Sequence, residues 1–442
     1  MSTTRWDLHA RGSRFITERL SALRGLAAFI PKTCPLSRSV LVRIEALVLA
    51  LVALTLTLIL AHLHALPGLH HAGRVAMRTH PGLLLAMVLP LSQEVLGPAF
   101  RAGLVKALTE SFTIERLTVT PMRRRPASRH VFSCEFVIGD QLTGKQRSIE
   151  LIGKCDALRA TGKAAREFGA MRLLWDAGFS RDESFMIPRP VQYFPDFQLI
   201  LQGRARGSKL RHYAGKGTDI SLGYARMAGL WLAKLHNLKV MTPQVCTYTH
   251  EIAALRTFVG AITAAQPKLE CELQHRGALL ERNFTQFQSV PSTMVHGDFH
   301  PDHIFVSKDS VTVIDFERSS TGDPALDVGS FIAHMRTTAR CLGRALATAN
   351  REIDAFLESY LSVVSATQSV VILPRVASYV TLSNLEALYY VASVLRVGDP
   401  NRLEIYLNCM RQAELPALES SFPPLALCGA SRPVQQLSEE II

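Results

Sequence analysis

The spacing of apolar residues changes period along the chain, and each change marks an element. LTVTP and HVFSCEFVI alternate as strands on either side of residues 122–129; 139–146 reads as a hairpin turn and SIELIGKC as the next strand. The period then turns helical. Residues 164–175 place Phe168, Met171 and Leu174 on one face. IPRPVQYFPDFQLILQ follows as a Pro-bounded entry and a strand at 197–201. Residues 221–236 space Leu222, Ala225, Ala228, Trp231 and Leu235 as the buried stripe of a long helix. Two more helices are expected in 248–290, and 325–414 is helix-patterned throughout. Strands first and helices afterwards predict an α+β chain with a β-rich part preceding a helical one. No internal repeat is present. Residues 415–442 carry Pro and Ser and read as a flexible tail.

The N-terminal region has a different pattern. Residues 46–67, ALVLALVALTLTLILAHLHALP, hold no Asp, Glu, Lys or Arg and have about the length of a membrane span. Residues 82–100 are a weaker apolar stretch, interrupted by Pro90 and Glu94. Of the net charge of +12, almost all lies here: residues 1–130 hold 17 Lys/Arg against 6 Asp/Glu, the remainder 32 against 31. Arg24, Lys32, Arg38 and Arg43 favour a cytoplasmic N-terminus. A hairpin-like membrane anchor at the cytoplasmic face, drawn to anionic lipid, accommodates both observations. Nucleic-acid binding is not expected, because no aromatics interleave the basic residues. The eight cysteines form no C-x-x-C pair and no zinc spacing, as in a reducing compartment.

The densest chemistry lies in residues 295–327, VHGDFHPDHIFVSKDSVTVIDFERSSTGDPALD. Pro301-Asp302 signals a turn, 304–306 a strand, 307–310 a polar hairpin turn, and 311–314 a returning strand that delivers Asp315. Such a hairpin brings Asp298 and Asp315 together. Two acids held by rigid strands suit metal binding and proton acceptance, the parts that phosphoryl transfer requires.

HGDFHPDH, VIDFE and GDPALD resemble the signature of the aminoglycoside phosphotransferase and choline kinase-like family. The resemblance is strongest over 295–327 and extends to 148–175 and 221–236. It implies a two-lobed protein-kinase-like α+β fold: a small lobe at 104–203 and a helical lobe at 204–414, behind a basic segment (1–45) and a helical, apolar extension (46–103). It implies ATP and Mg²⁺, or Mn²⁺, as cofactors and a small-molecule hydroxyl as acceptor. By resemblance Asp298 is the catalytic base and Asp315 the metal-binding aspartate. Lys154, paired with Glu167 on the following helix, orients the phosphates, and Lys163 is its competitor from the polar turn before that helix. Gln202 marks the nucleotide-facing hinge, and Asp327 supports the catalytic loop. The family usually has Asn five residues after the catalytic Asp, as a second metal ligand. This chain has His303 there. Imidazole suits transition metals better than Mg²⁺.

Three readings of the function follow. The first is an ATP-dependent phosphotransferase acting on a sugar, aminoglycoside or amino-alcohol. The second is a nucleotide-binding pseudokinase scaffold at the membrane, suggested by His303. The third is a kinase of a membrane-linked glycan, lipid or protein, suggested by 46–67. The arginines of RRRPASR (123–129) read equally as phosphate contacts or as a solvated basic turn.

Overall fold

In the computed structural model the described residues are 112–124, 129–140, 145–156, 162–195, 198–287, 292–394 and 400–412. The basic segment, both apolar stretches and the tail lie outside them, and with them the anchor expected at 46–100. No helix among the described residues is long and apolar enough to cross a membrane.

The small lobe is a five-stranded antiparallel sheet in the order β1-β2-β3-β6-β5. Its strands are β1 (Phe112–Arg124), β2 (Arg129–Asp140), β3 (Gln146–Asp156), β5 (Pro190–Phe194) and β6 (Leu199–Gly203). Alternation decides its two faces. Phe132, Cys134, Phe136, Leu151, Cys155, Leu199 and Leu201 point into one apolar cluster. Ile152, Lys154, Ile200 and Gln202 have the opposite parity and are also buried. The core packs tightly enough to demand glycine at 153, where a Cβ would stand 2.2 Å from the Phe132 ring. Helix α1 (Lys163–Leu174) follows β3 and continues into a wider turn at Trp175–Phe179.

The large lobe is helical. Helix α2 (Asp219–Asn237) starts where the Thr218 hydroxyl accepts the Ser221 N–H. Its apolar stripe is buried from Ala225 to Leu235, with Leu222 only partly covered: Trp231 is fully enclosed, its ring 5.7 Å from and nearly parallel to that of Phe299, its indole N–H on the Met186 carbonyl at 2.9 Å. Then come α3 (Tyr248–Ala265), α4 (Glu270–Gln286), α5 (Ala325–Cys341), α6 (Leu346–Leu361), α7 (Ala366–Tyr389) and α8 (Pro400–Gln412). Short strands carry the loop between them. β9 (Ile304–Val306) and β10 (Val311–Val313) form the expected antiparallel hairpin, flanked by β4 (Phe185–Met186) and β7 (Ser208–Lys209). β8 (Thr293–Val295) pairs with β11 (Ser320–Gly322). The result is the two-lobed α+β architecture expected of the kinase-like resemblance.

Three expectations need correction. The strand expected at 197–201 is displaced to Leu199–Gly203, because Gln198 takes a left-handed turn conformation (φ 47°). Gln202 is therefore a strand residue, paired across the sheet with Ile152, and the chain leaves the sheet only after Gly203. Lys163 is not in the turn before α1 but opens the helix, after Gly162 at φ 67°. Asp323 stands one residue outside the N-cap of α5, and its Oδ1 accepts the Ala325 N–H at 2.9 Å.

Candidate active site

Strand β3 ends buried on both faces, which brings Lys154 inward with 5 % of its surface exposed. A buried ammonium requires partners. Its Nζ donates to Glu167 Oε1 of α1 at 2.5 Å and to Asp315 Oδ1 at 3.1 Å. Burial alone would lower the Lys154 pKa; the Asp315 and Glu167 carboxylates outweigh it and raise it, so the cation is secure.

Asp315 follows β10 in a left-handed conformation (φ 76°), a strain that non-glycine residues seldom adopt without a reason. The turn swings its carboxylate toward the small lobe. Burial pushes its pKa up, but Lys154, His303 and Arg129 prevail and hold it well below the usual carboxylate range.

The loop carrying Asp298 is fixed by Asp327 of α5. The Asp327 carboxylate accepts the main-chain N–H of His296 at 2.7 Å and of Gly297 at 2.8 Å, and the His236 Nε2–H at 3.1 Å. Gly297 has φ 77°, and a Cβ there would lie 2.4 Å from the Arg318 carbonyl oxygen. His296, fully buried, accepts the Asp298 N–H at Nδ1 and donates Nε2–H to the Ile314 carbonyl, tying the two aspartate segments together. Burial keeps its pKa down, consistent with this neutral tautomer.

Around Asp298 stand three histidines and an arginine. His300 Nε2 and His303 Nδ1 are each 3.6 Å from its carboxylate, and Arg318 Nη1 is at 3.9 Å. His334 of α5 packs its ring 4.8 Å from that of His300. Burial raises the Asp298 pKa, yet His300, His303, Arg318 and His334 outweigh it and hold the acid far below its ordinary value.

His303 has one nitrogen committed. Its Nδ1 lies 3.0 Å from the Asp298 main-chain carbonyl, which only accepts, so Nδ1 carries the hydrogen. The other nitrogen, Nε2, faces Asp315 Oδ2 at 3.3 Å. Protonated, Nε2 donates to that oxygen; deprotonated, it turns a lone pair toward it, and a metal ion can take the proton's place between them. Cis ligands of an octahedral ion with bonds of about 2.1 Å stand roughly 3 Å apart, so the pair suits a shared metal. Asp156, Glu167, Asp315 and Glu317 are four carboxylates against three cations, Arg129, Lys154 and Lys163, so the cluster keeps a negative charge.

Gln202 shares the Lys154 face of the sheet. It is buried, and its side-chain oxygen has no hydrogen-bond partner. An orphaned acceptor at this depth suits an amino group of a bound base.

The arrangement thus gathers Lys154, Glu167, Asp298, His303 and Asp315 in one place, with Gln202 along the same sheet face. Lys163 lies apart, half-exposed, 3.5 Å from Glu317. Sequence reasoning missed the grip of Arg129. Taken as part of a basic turn, it is 13 % exposed at the start of β2 and contacts all four carboxylates. It also missed His334, Asp156 and Glu317. The pairing Arg129↔Asp156 across β2 and β3 was the available signal, and it required the register of a hairpin that the sequence only outlines.

Parts of the chain are similar to known proteins. The model of the phosphotransferase enzyme family matches residues 142–361. Methylthioribose kinase from Exiguobacterium sibiricum is 33 % identical over 100 residues, which are 21 % of this chain and 26 % of that protein. The match thus spans about a quarter of the curated relative's length. Similar solved structures include a choline/ethanolamine kinase family protein from Mesorhizobium loti (15 % identity, 74 % of this chain and 98 % of that one, TM-score 0.46). Another is an amicoumacin kinase in complex with AMP-PNP, Ca²⁺ and Ami (15 %, 72 % and 93 %, 0.49), and a third the Plasmodium vivax ethanolamine kinase (12 %, 77 % and 88 %, 0.48). Residues 142–361, which carry the Lys154–Glu167 pair, the Asp298 loop and Asp315, match the phosphotransferase enzyme family.

Proposed function

We propose that the protein transfers the γ-phosphoryl group of ATP to a hydroxyl of a small molecule of the sugar, aminoglycoside or amino-alcohol type. The observation that carries this reading is the placement of Asp298 and Asp315 on either side of His303, with Asp315 bound to the Lys154–Glu167 pair. Lys154 grips the nucleotide's phosphates, and Glu167 keeps its ammonium from swinging away. Gln202 offers its free oxygen to the base. Asp315 and His303 would hold a Mg²⁺ or Mn²⁺ ion, which supplies positive charge to the phosphates.

Asp298 faces the acceptor. Its depressed pKa makes it a weak proton sink, so its first task is orientation: it accepts a hydrogen bond from the acceptor O–H and aims the oxygen at the γ-phosphorus. The new P–O bond forms as the bond to the β–γ bridging oxygen breaks. ADP leaves with that oxygen, and the acceptor proton passes to Asp298 late in the step.

The basic, apolar N-terminal sequence favours an acceptor met at a membrane surface as a second reading. One experiment tests both. Phosphate transfer from ATP is measured to a panel of soluble amino-sugars and amino-alcohols and, in parallel, to membrane extracts. Transfer to a soluble hydroxyl supports the first reading, and transfer confined to the extracts supports the second. MgATP binding without transfer to any acceptor would favour the pseudokinase and contradict the proposal.

A further inference from the structure

Arg129 does something that no residue role assigned so far explains. Its guanidinium is clamped from one side, Nε to Asp156 Oδ1 at 2.6 Å and Nη2 to Asp156 Oδ2 at 3.4 Å. This leaves Nη1 aimed at three other carboxylates: Glu167 Oε2 at 2.6 Å, Glu317 Oε2 at 3.1 Å and Asp315 Oδ1 at 3.4 Å. Those three acids also bring their oxygens within 4.8 Å of one another, the spacing of a cation site. The arginine nitrogen therefore sits where a metal ion would otherwise be held.

Asp315 is divided accordingly. Its Oδ1 serves Lys154 and Arg129, and its Oδ2 faces the free nitrogen of His303. On the other side His303 offers one nitrogen, its Nδ1 being committed to the Asp298 carbonyl, and the donors beside it are the Asp298 carboxylate and the His300 imidazole. The oxygen-rich surroundings of a second Mg²⁺ are missing on one side and already filled by a guanidinium on the other. A permanently charged, planar group in a fixed fork serves where a strongly hydrated ion would have to be stripped.

We propose that Arg129 is the site's built-in second cation, a positioning residue that holds Asp315, Glu317 and Glu167 in place of a second metal ion, so that transfer needs one divalent ion only. This inference rests on the phosphotransferase reading above.

The test uses the full chain with ATP wholly complexed, and the concentration of free Mg²⁺ is raised further. The parent's rate should stay flat. Arg129→Gln should lose at least about tenfold in rate, as for a charged hydrogen bond removed from a buried site. Its rate should now climb with free Mg²⁺ or Mn²⁺ and recover in part with added guanidinium. Arg129→Lys should keep the flat profile at an intermediate rate. A parent whose rate climbs with metal beyond MgATP overturns the inference without any variant. So does an Arg129→Gln protein with the parent's rate and metal profile. Those failures leave phosphoryl transfer itself standing. A parent that neither binds MgATP nor transfers phosphate overturns both readings.

Discussion

His303 departs from the Asn usual at this position, and its geometry says what the difference does. With Nδ1–H held by the Asp298 carbonyl, the ring offers one lone pair, directed to the side of Asp315. Nitrogen is a better donor to Mn²⁺ than to Mg²⁺. His303→Asn should therefore lower the ratio of Mn²⁺- to Mg²⁺-supported transfer, read at saturating ATP. An unchanged ratio would place His303 outside the metal's coordination. Asp298 behaves differently with pH. Its folded pKa lies below the unfolded value near 3.9, so the stability that its ionised form contributes is present above about pH 4 and lost as pH falls through the folded value. A fall in transfer between pH 5 and 7 therefore reports another group.

At the scale of elements, the loop that carries Asp298 is a main-chain object held by a side chain from elsewhere. Asp327 joins α5 to the N–H groups of residues 296 and 297 and to His236 on α2, all fully or nearly fully buried. Asp327→Ala leaves two donors and an imidazole without their acceptor. Urea unfolding should show a loss of about 3 kcal/mol or more, typical of a buried ionic network deprived of one member; a variant as stable as its parent would mean that water replaces the carboxylate at no cost. Much of this framework was legible in the sequence. The β9–β10 hairpin and the α2 stripe follow from period and turn chemistry, and Asp327 from its place in GDPALD. What stayed hidden depends on register. The position of Gln202 turned on a left-handed residue, Gln198, that shifts the strand by two. Arg129 became part of the site only because β2 faces β3 so that it meets Asp156. His334 reaches Asp298 from a helix some thirty residues on, a distance no local pattern encodes.

For the molecule as a whole, the two lobes meet through charge at the site and through apolar packing behind it. Lys154 and Arg129 of the small lobe reach Asp315 and Glu317 of the large one, and Glu167 holds both cations. Met171, Leu174 and Phe179 join the core around Trp231, which anchors one lobe on the other. The central claim is a division of labour between the two aspartates, Asp315 for the nucleotide and its metal, Asp298 for the acceptor. The most direct measurement takes the parent and Asp298→Asn side by side, with MgATP affinity from calorimetry and phosphate transfer from the same preparations. Affinity should agree within about twofold while transfer falls by roughly 10²- to 10⁴-fold, the contribution of a positioned acid–base group. An Asp298→Asn protein that transfers as fast as its parent, or that loses MgATP binding in step with its rate, would contradict the account.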